Sequence, residues 1–172
     1  LISSTEAEYV ALTGRNVDAA VISLRNSEQM KNLTLEPSSD TIILDPHLLK
    51  LTHITDLTLG TFVNLGPTFF TDFFPSCSLQ SLELQYYFGL NAADLIRACQ
   101  KKPASLQTLV IDVLGDSETL AEDGPAWTED CDIDLMRRLI SVYQSAGVNV
   151  KGSALEAVGL ESESESDFDE DE

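Results

Sequence analysis

Apolar residues recur along the chain on one short template. The segments MKNLTLE at 30–36, ITDLTLG at 54–60, LQSLELQ at 79–85 and LQTLVID at 106–112 each read apolar-x-x-Leu-x-apolar, with starts 24, 25 and 27 residues apart. A weaker fifth unit, SAGVNVK at 145–151, keeps Val148 and Val150 and lacks the first apolar position. In a strand, residues i and i+2 share a face. Leu33 with Leu35, Leu57 with Leu59, Leu82 with Leu84, and Leu109 with Ile111 therefore form apolar pairs pointing one way. Strands this short are not stable alone. Stacking them in parallel buries the shared face, and each parallel return needs a crossover, for which the intervals leave room.

The period changes from two to 3.6 between some of these units. In NAADLIRACQKKP at 91–103, Ala92, Leu95, Ile96 and Cys99 fall on one helical face, Asn91 suits an N-cap and Pro103 ends the run. Asp94 in the first turn and Lys101 and Lys102 in the last complement the helix dipole. Met136, Leu139, Ile140 and Tyr143 predict a second helix over about 132–146, with Gly147 as its C-terminal cap. Segments 45–51 and 68–74 are shorter and predict irregular or one-turn helical structure, with FFTDFFPSC as packed filler between strands. At the start of the chain, Ser3 and Glu6 match a capping box, Ala7, Val10 and Ala11 give a weak helical face, and Gly14 ends it. Val17, Ala20, Val21 and Leu24 predict another helix from about Asn16. Two helices over 1–28 would cap the open apolar end of the stack.

Composition narrows the classes. With 172 residues, 43% of them apolar, most of the chain should fold around one core. The net charge is −19; eight of those charges lie in the final ESESESDFDEDE, leaving −11 over residues 1–160. An acidic folded part argues against nucleic acid and against an anionic membrane surface, and favours a protein partner with a basic face. The sequence has no apolar run of membrane-spanning length and no basic-then-apolar leader, and its first residue is Leu, as in a fragment or a processed product. Cys77, Cys99 and Cys131 have no metal-site spacing and read as reduced thiols in an intracellular protein, cytoplasmic or nuclear; His47 and His53 read as structural.

Candidate chemistry is sparse. The sequence holds no phosphate-binding glycine loop and no nucleophile–base set, so an enzyme is not expected, and neither is a metal or other cofactor. DSETLAEDGPAWTEDCDID at 116–134 carries eight acids and interrupts the repeat spacing, which predicts a long acidic loop over 115–132; Trp127 within it is either core packing or a partner anchor. Residues 153–172 predict a disordered acidic tail. Ser162, Ser164 and Ser166 each have an acid three residues later, the context that acidophilic kinases favour.

The four in-register units resemble irregular leucine-rich repeats. With long variable intervals, a poor Asn ladder and the closing Gly-Val-x-Val unit, they look like the repeat region of fungal F-box-like proteins over about residues 16–151. That resemblance implies an α/β fold: a right-handed open solenoid over 29–152 with a short parallel sheet, a helical N-terminal cap and a disordered acidic tail. It also implies substrate recognition in a ubiquitin ligase receptor. SSTEAEYVAL at 3–12 separately resembles the opening of a catalytic helix in copia-type retroelement ribonuclease H, where Glu8 would take the place of a metal-binding glutamate. A two-metal site needs several converging carboxylates, and this short match brings one. A leucine-rich repeat with an acidic tail also resembles acidic nuclear phosphoproteins that bind histones.

Strand alternation then assigns the working surface. Asn32, Thr34 and Glu36; Asp56 and Thr58; Ser81, Glu83 and Gln85; Thr108, Val110 and Asp112; and Asn149 should line a concave polar face with four acids and no base. The sequence leaves the oligomeric state open.

Overall fold

The computed structural model describes residues 8–14, 24, 27–37, 42–43, 51–60, 63–85, 92–113 and 133–160. Several expectations lie outside them: the Ser3–Glu6 capping box, the helical face of Val17, Ala20 and Val21, the Asn91 cap, the acidic loop 115–132 with Trp127, segment 45–50, and residues 161–172 with Ser162, Ser164 and Ser166.

The described chain is mixed α/β around an open, all-parallel sheet of six strands. The strands are β1 (Tyr9–Gly14), β2 (Asn32–Pro37), β4 (Asp56–Leu59), β6 (Ser81–Leu84), β7 (Thr108–Ile111) and β8 (Asn149–Lys151), adjacent in the order of the chain. Two further short strands, β3 (Ile42–Ile43) and β5 (Val63–Asn64), pair in parallel as a separate ribbon. A helical segment, Phe69–Phe73 continued by Phe74–Ser76, lies between β5 and β6. Helix α1 (Ala92–Ala98), prolonged by one tighter turn at Cys99–Lys101, follows β6; α2 (Ile133–Ser145) precedes β8 and α3 (Ala154–Ala157) follows it.

The leucine pairs align as rungs. Leu33, Leu57, Leu82, Leu109 and Val150 occupy one register row, and Leu35, Leu59, Leu84 and Ile111 the next but one. All nine are buried, as are the leading template residues Met30, Ile54, Leu79 and Leu106. A fully buried leucine stabilises the fold by about 1.5–3 kcal/mol relative to an exposed one, so these rows supply much of the driving force for stacking. The helices share that core: Leu95, Met136, Leu139, Ile140 and Tyr143 join the same buried cluster.

Four strands, β2, β4, β6 and β7, begin with the same backbone device. One carbonyl accepts the N–H groups of two consecutive residues entering the next strand. Glu8 O accepts from Lys31 and Asn32 (2.9 Å each), Lys31 O from Thr55 and Asp56 (2.8 and 3.0 Å), Thr55 O from Gln80 and Ser81 (2.7 and 3.0 Å), and Gln80 O from Gln107 and Thr108 (2.9 and 3.0 Å). The strands leave the sheet as regularly: Leu35 O, Leu59 O and Leu84 O accept from Gly60, Gln85 and Asp112. Buried backbone groups must find partners, and the repeated device satisfies them at the entries to β2, β4, β6 and β7; at β8 Gln107 O accepts from Asn149 alone, while the Val148 N–H turns to Tyr143 O.

The start of the chain differs from the helical expectation. Tyr9–Gly14 is a strand, paired in parallel with β2 from Tyr9↔Asn32 to Gly14↔Pro37. The helical reading put Ala11 on the inner face, whereas Ala11 is exposed and Leu12 is buried. With Val10 packed on the core beside Leu12, the governing period is two. The described sheet therefore begins one rung earlier than the leucine template suggested, and the helical cap does not extend over these residues.

At the other end, the chain turns sharply after β8. Gly152 has φ +103°, and a Cβ there would lie 2.3 Å from Ile111 O and 2.9 Å from Asp112 Oδ1. Only glycine fits that approach.

Candidate partner-binding face

Alternation along the strands puts a second set of side chains opposite the leucines. Register groups them into three rows running across the sheet. The first holds Tyr9, Asn32, Asp56, Ser81, Thr108 and Asn149; the second Ala11, Thr34, Thr58, Glu83, Val110 and Lys151. Past the C-terminal ends of the central strands, Thr13 pairs with Glu36, and Gly60, Gln85 and Asp112 follow in the same backbone ladder. All twelve residues expected from sequence fall in these rows. Apart from buried Thr34 and Gly60, the residues of the face are half-buried or exposed.

Two corrections follow from the register. Lys151 closes the second row on β8, so the face carries a base beside its four acids. From the fifth unit only Asn149 was expected on the face, and the strand carries Lys151, two residues further, on the same side. Tyr9, Ala11 and Thr13 were missed altogether. The signal for them was present: Ala7, Val10 and Leu12 repeat the apolar-x-x-apolar-x-apolar template, starting 23 residues before Met30.

The acids differ in how they are held. Glu83 is fixed through both oxygens, accepting from Thr58 Oγ1 at 3.3 Å and from Gln85 Nε2 at 2.8 Å. Thr55 Oγ1 donates to Asp56 Oδ2 at 2.6 Å. Asp112 serves the fold: its Oδ1 accepts the Ser153 backbone N–H at 3.0 Å, while Ser153 Oγ accepts from Val113 N–H at 3.0 Å. These bonds tie the turn at Gly152 to the end of β7. Glu36 is exposed. Tyr9 reaches onto β2, its hydroxyl 3.4 Å from Thr34 Oγ1. Tyr9 as a whole stays 60% exposed, while Thr34 is buried although it stands on the outer face.

Other candidate chemistry lies away from this face. Cys77 and Cys99 are buried free thiols. Burial pushes the Cys77 thiol up to about 11 and also raises Cys99, so both are protonated at neutral pH. His53 Nε2 donates to Ser27 O at 2.9 Å, a structural bond. Glu8, the residue aligned with a nuclease glutamate, is exposed ahead of β1. Among the described residues no group of three or more His, Cys, Asp or Glu side chains could hold a metal ion, and no helix is long and apolar enough to cross a membrane.

Comparison of the chain with family models, with curated proteins and with solved structures gave no match.

Proposed function

We propose that this chain is a protein-interaction module, a right-handed leucine-rich-repeat-like solenoid whose polar sheet face is concave and binds a protein with a basic surface. The observation that carries this reading is the continuous polar face across six in-register parallel strands, with Glu83 and Asp56 held by neighbouring hydroxyls and an amide. Carboxylates already oriented lose little entropy on meeting a cation. The repeated strand-entry bonds and aligned leucine rows support the solenoid reading, because each unit contacts its neighbours in the same way. In an F-box-like setting such a face would select the protein to be ubiquitinated.

Matched charge reversals test the reading. Glu83 lies on the face, and Asp134 lies on α2 with its side chain 91% exposed. Glu83→Lys and Asp134→Lys change the net charge equally. Glu83→Lys should weaken binding of a basic protein by about tenfold, roughly 1.4 kcal/mol, and Asp134→Lys should change it little. Equal losses would mean that the partner senses net charge alone, and the face would have no special role.

A further inference from the structure

We propose that the first row of the polar face holds an arginine-accepting subsite at its β1 end, built from Tyr9, Asn32 and Asp56. This deepens the reading above and rests on it. The three residues follow one another across β1, β2 and β4 in strict register. Neighbouring strands lie about 4.8 Å apart, so Tyr9 and Asp56 flank a gap of roughly two strand spacings, with the Asn32 side chain between them. The Tyr9 hydroxyl contacts Thr34 Oγ1, which leans the ring over β2, and Thr34 is buried although it stands on the outer face. Tyr9 remains 60% exposed, the more open of two exposed large hydrophobic residues among the described residues. The other, Leu160, is 40% exposed and follows α3 in the chain.

A guanidinium matches this arrangement better than an ammonium. It is planar and stacks on an aromatic face, while its forked donors reach a carboxylate. Asp56 Oδ2 already accepts from Thr55 Oγ1, which leaves Oδ1 as the acceptor for the incoming group. Asn32, between them in the row, carries a side-chain amide whose oxygen is able to accept a second donor. An arginine on a partner's surface would lie on the tyrosine ring with its donors directed at Asp56.

The test uses the full chain and two probes, octa-arginine and octa-lysine, measured by fluorescence anisotropy at physiological ionic strength. The readout is the ratio of their affinities, because the acidic tail attracts both. The parent chain should favour octa-arginine, and Tyr9→Leu should reduce that preference about threefold, as expected of an exposed cation–π contact, with octa-lysine affinity unchanged. Tyr9→Phe keeps the ring and should keep the preference. Asp56→Asn should lower octa-arginine affinity more than octa-lysine affinity. Circular dichroism of each variant checks that the fold is intact. An unchanged ratio in Tyr9→Leu overturns the subsite while leaving the basic-partner reading standing. Failure of both probes to bind the parent chain overturns the two together.

Discussion

Two crossovers on the leucine side of the sheet solve the same problem with different materials. Between β6 and β7 the chain uses α1, whose Ala92, Leu95, Ala98 and Cys99 are buried at helical spacing. Between β4 and β6 it uses aromatic residues: Phe69, Phe73 and Phe74 are all buried. The Phe69 ring lies 5.4 Å from that of Phe73 and 5.7 Å from that of Phe74. Their backbone is wound more widely than an α-helix, and the Phe74 N–H donates to Phe69 O, five residues back. Pro75 follows at once and has no N–H to continue an α-helical ladder. The wide turn brings consecutive as well as spaced rings inward. An aliphatic helix fills the space with many small periodic contributions, whereas the aromatic turn concentrates the same task in three large side chains.

That concentration should show in stability. Phe73→Ala is expected to cost about 3–5 kcal/mol and Leu95→Ala about 2–5 kcal/mol, both read by urea unfolding. A Leu95 cost above that of Phe73 would break the comparison. The hydrogen bond joining the two crossover helices is the next smaller effect. Tyr143 Oη donates to Leu95 O at 3.0 Å from a fully buried ring. Tyr143→Phe should cost about 0.5–1.5 kcal/mol; no loss would mean that packing alone docks α2 on α1.

Alkaline titration sharpens the comparison further, because each crossover buries an acid. Burial pushes Cys77, at the end of the aromatic turn, up to about 11, and raises Cys99 and Tyr143 in the helical layer. A group whose folded pKa is raised holds its proton more tightly in the native state. Its stabilising effect is complete below the unfolded value, 9.0 for the thiols, and is lost as the pH climbs through the folded value. Unfolding free energy should therefore decline from about pH 9 upward, by at most ~1.4 kcal/mol per pH unit for each titrating group. Cys77→Ala should flatten the part of that decline ending near pH 11. A profile unchanged by the substitution would show that the thiol ionises equally well in both states.

The same contrast explains what the sequence could and could not disclose. The leucine rungs and the buried face of α2 were legible because a period of two or of 3.6 leaves a regular trace in residue type. Segment 68–74 was expected to be irregular or a single helical turn; the phenylalanine doublets show its apolar weight, but their winding depends on Pro75 and on what surrounds them. β1 was obscured because Ala7, Val10 and Ala11 fit a helix as well as Ala7, Val10 and Leu12 fit a rung, and only pairing with β2 separates them. The outer face was readable as positions, through alternation. Which acids are free was not: the Ser153 N–H that occupies Asp112 lies 41 residues away in the chain.

The most direct test of the polar face is a nitrogen–proton NMR titration of the full chain with octa-arginine. Perturbed amides should cluster at Asn32, Thr34, Asp56, Thr58, Ser81 and Glu83, which share one side of β2, β4 and β6. Shifts confined to residues 161–172, or to the exposed Asp134, Arg138 and Ser141 of α2, would contradict the assignment of this face as the working surface.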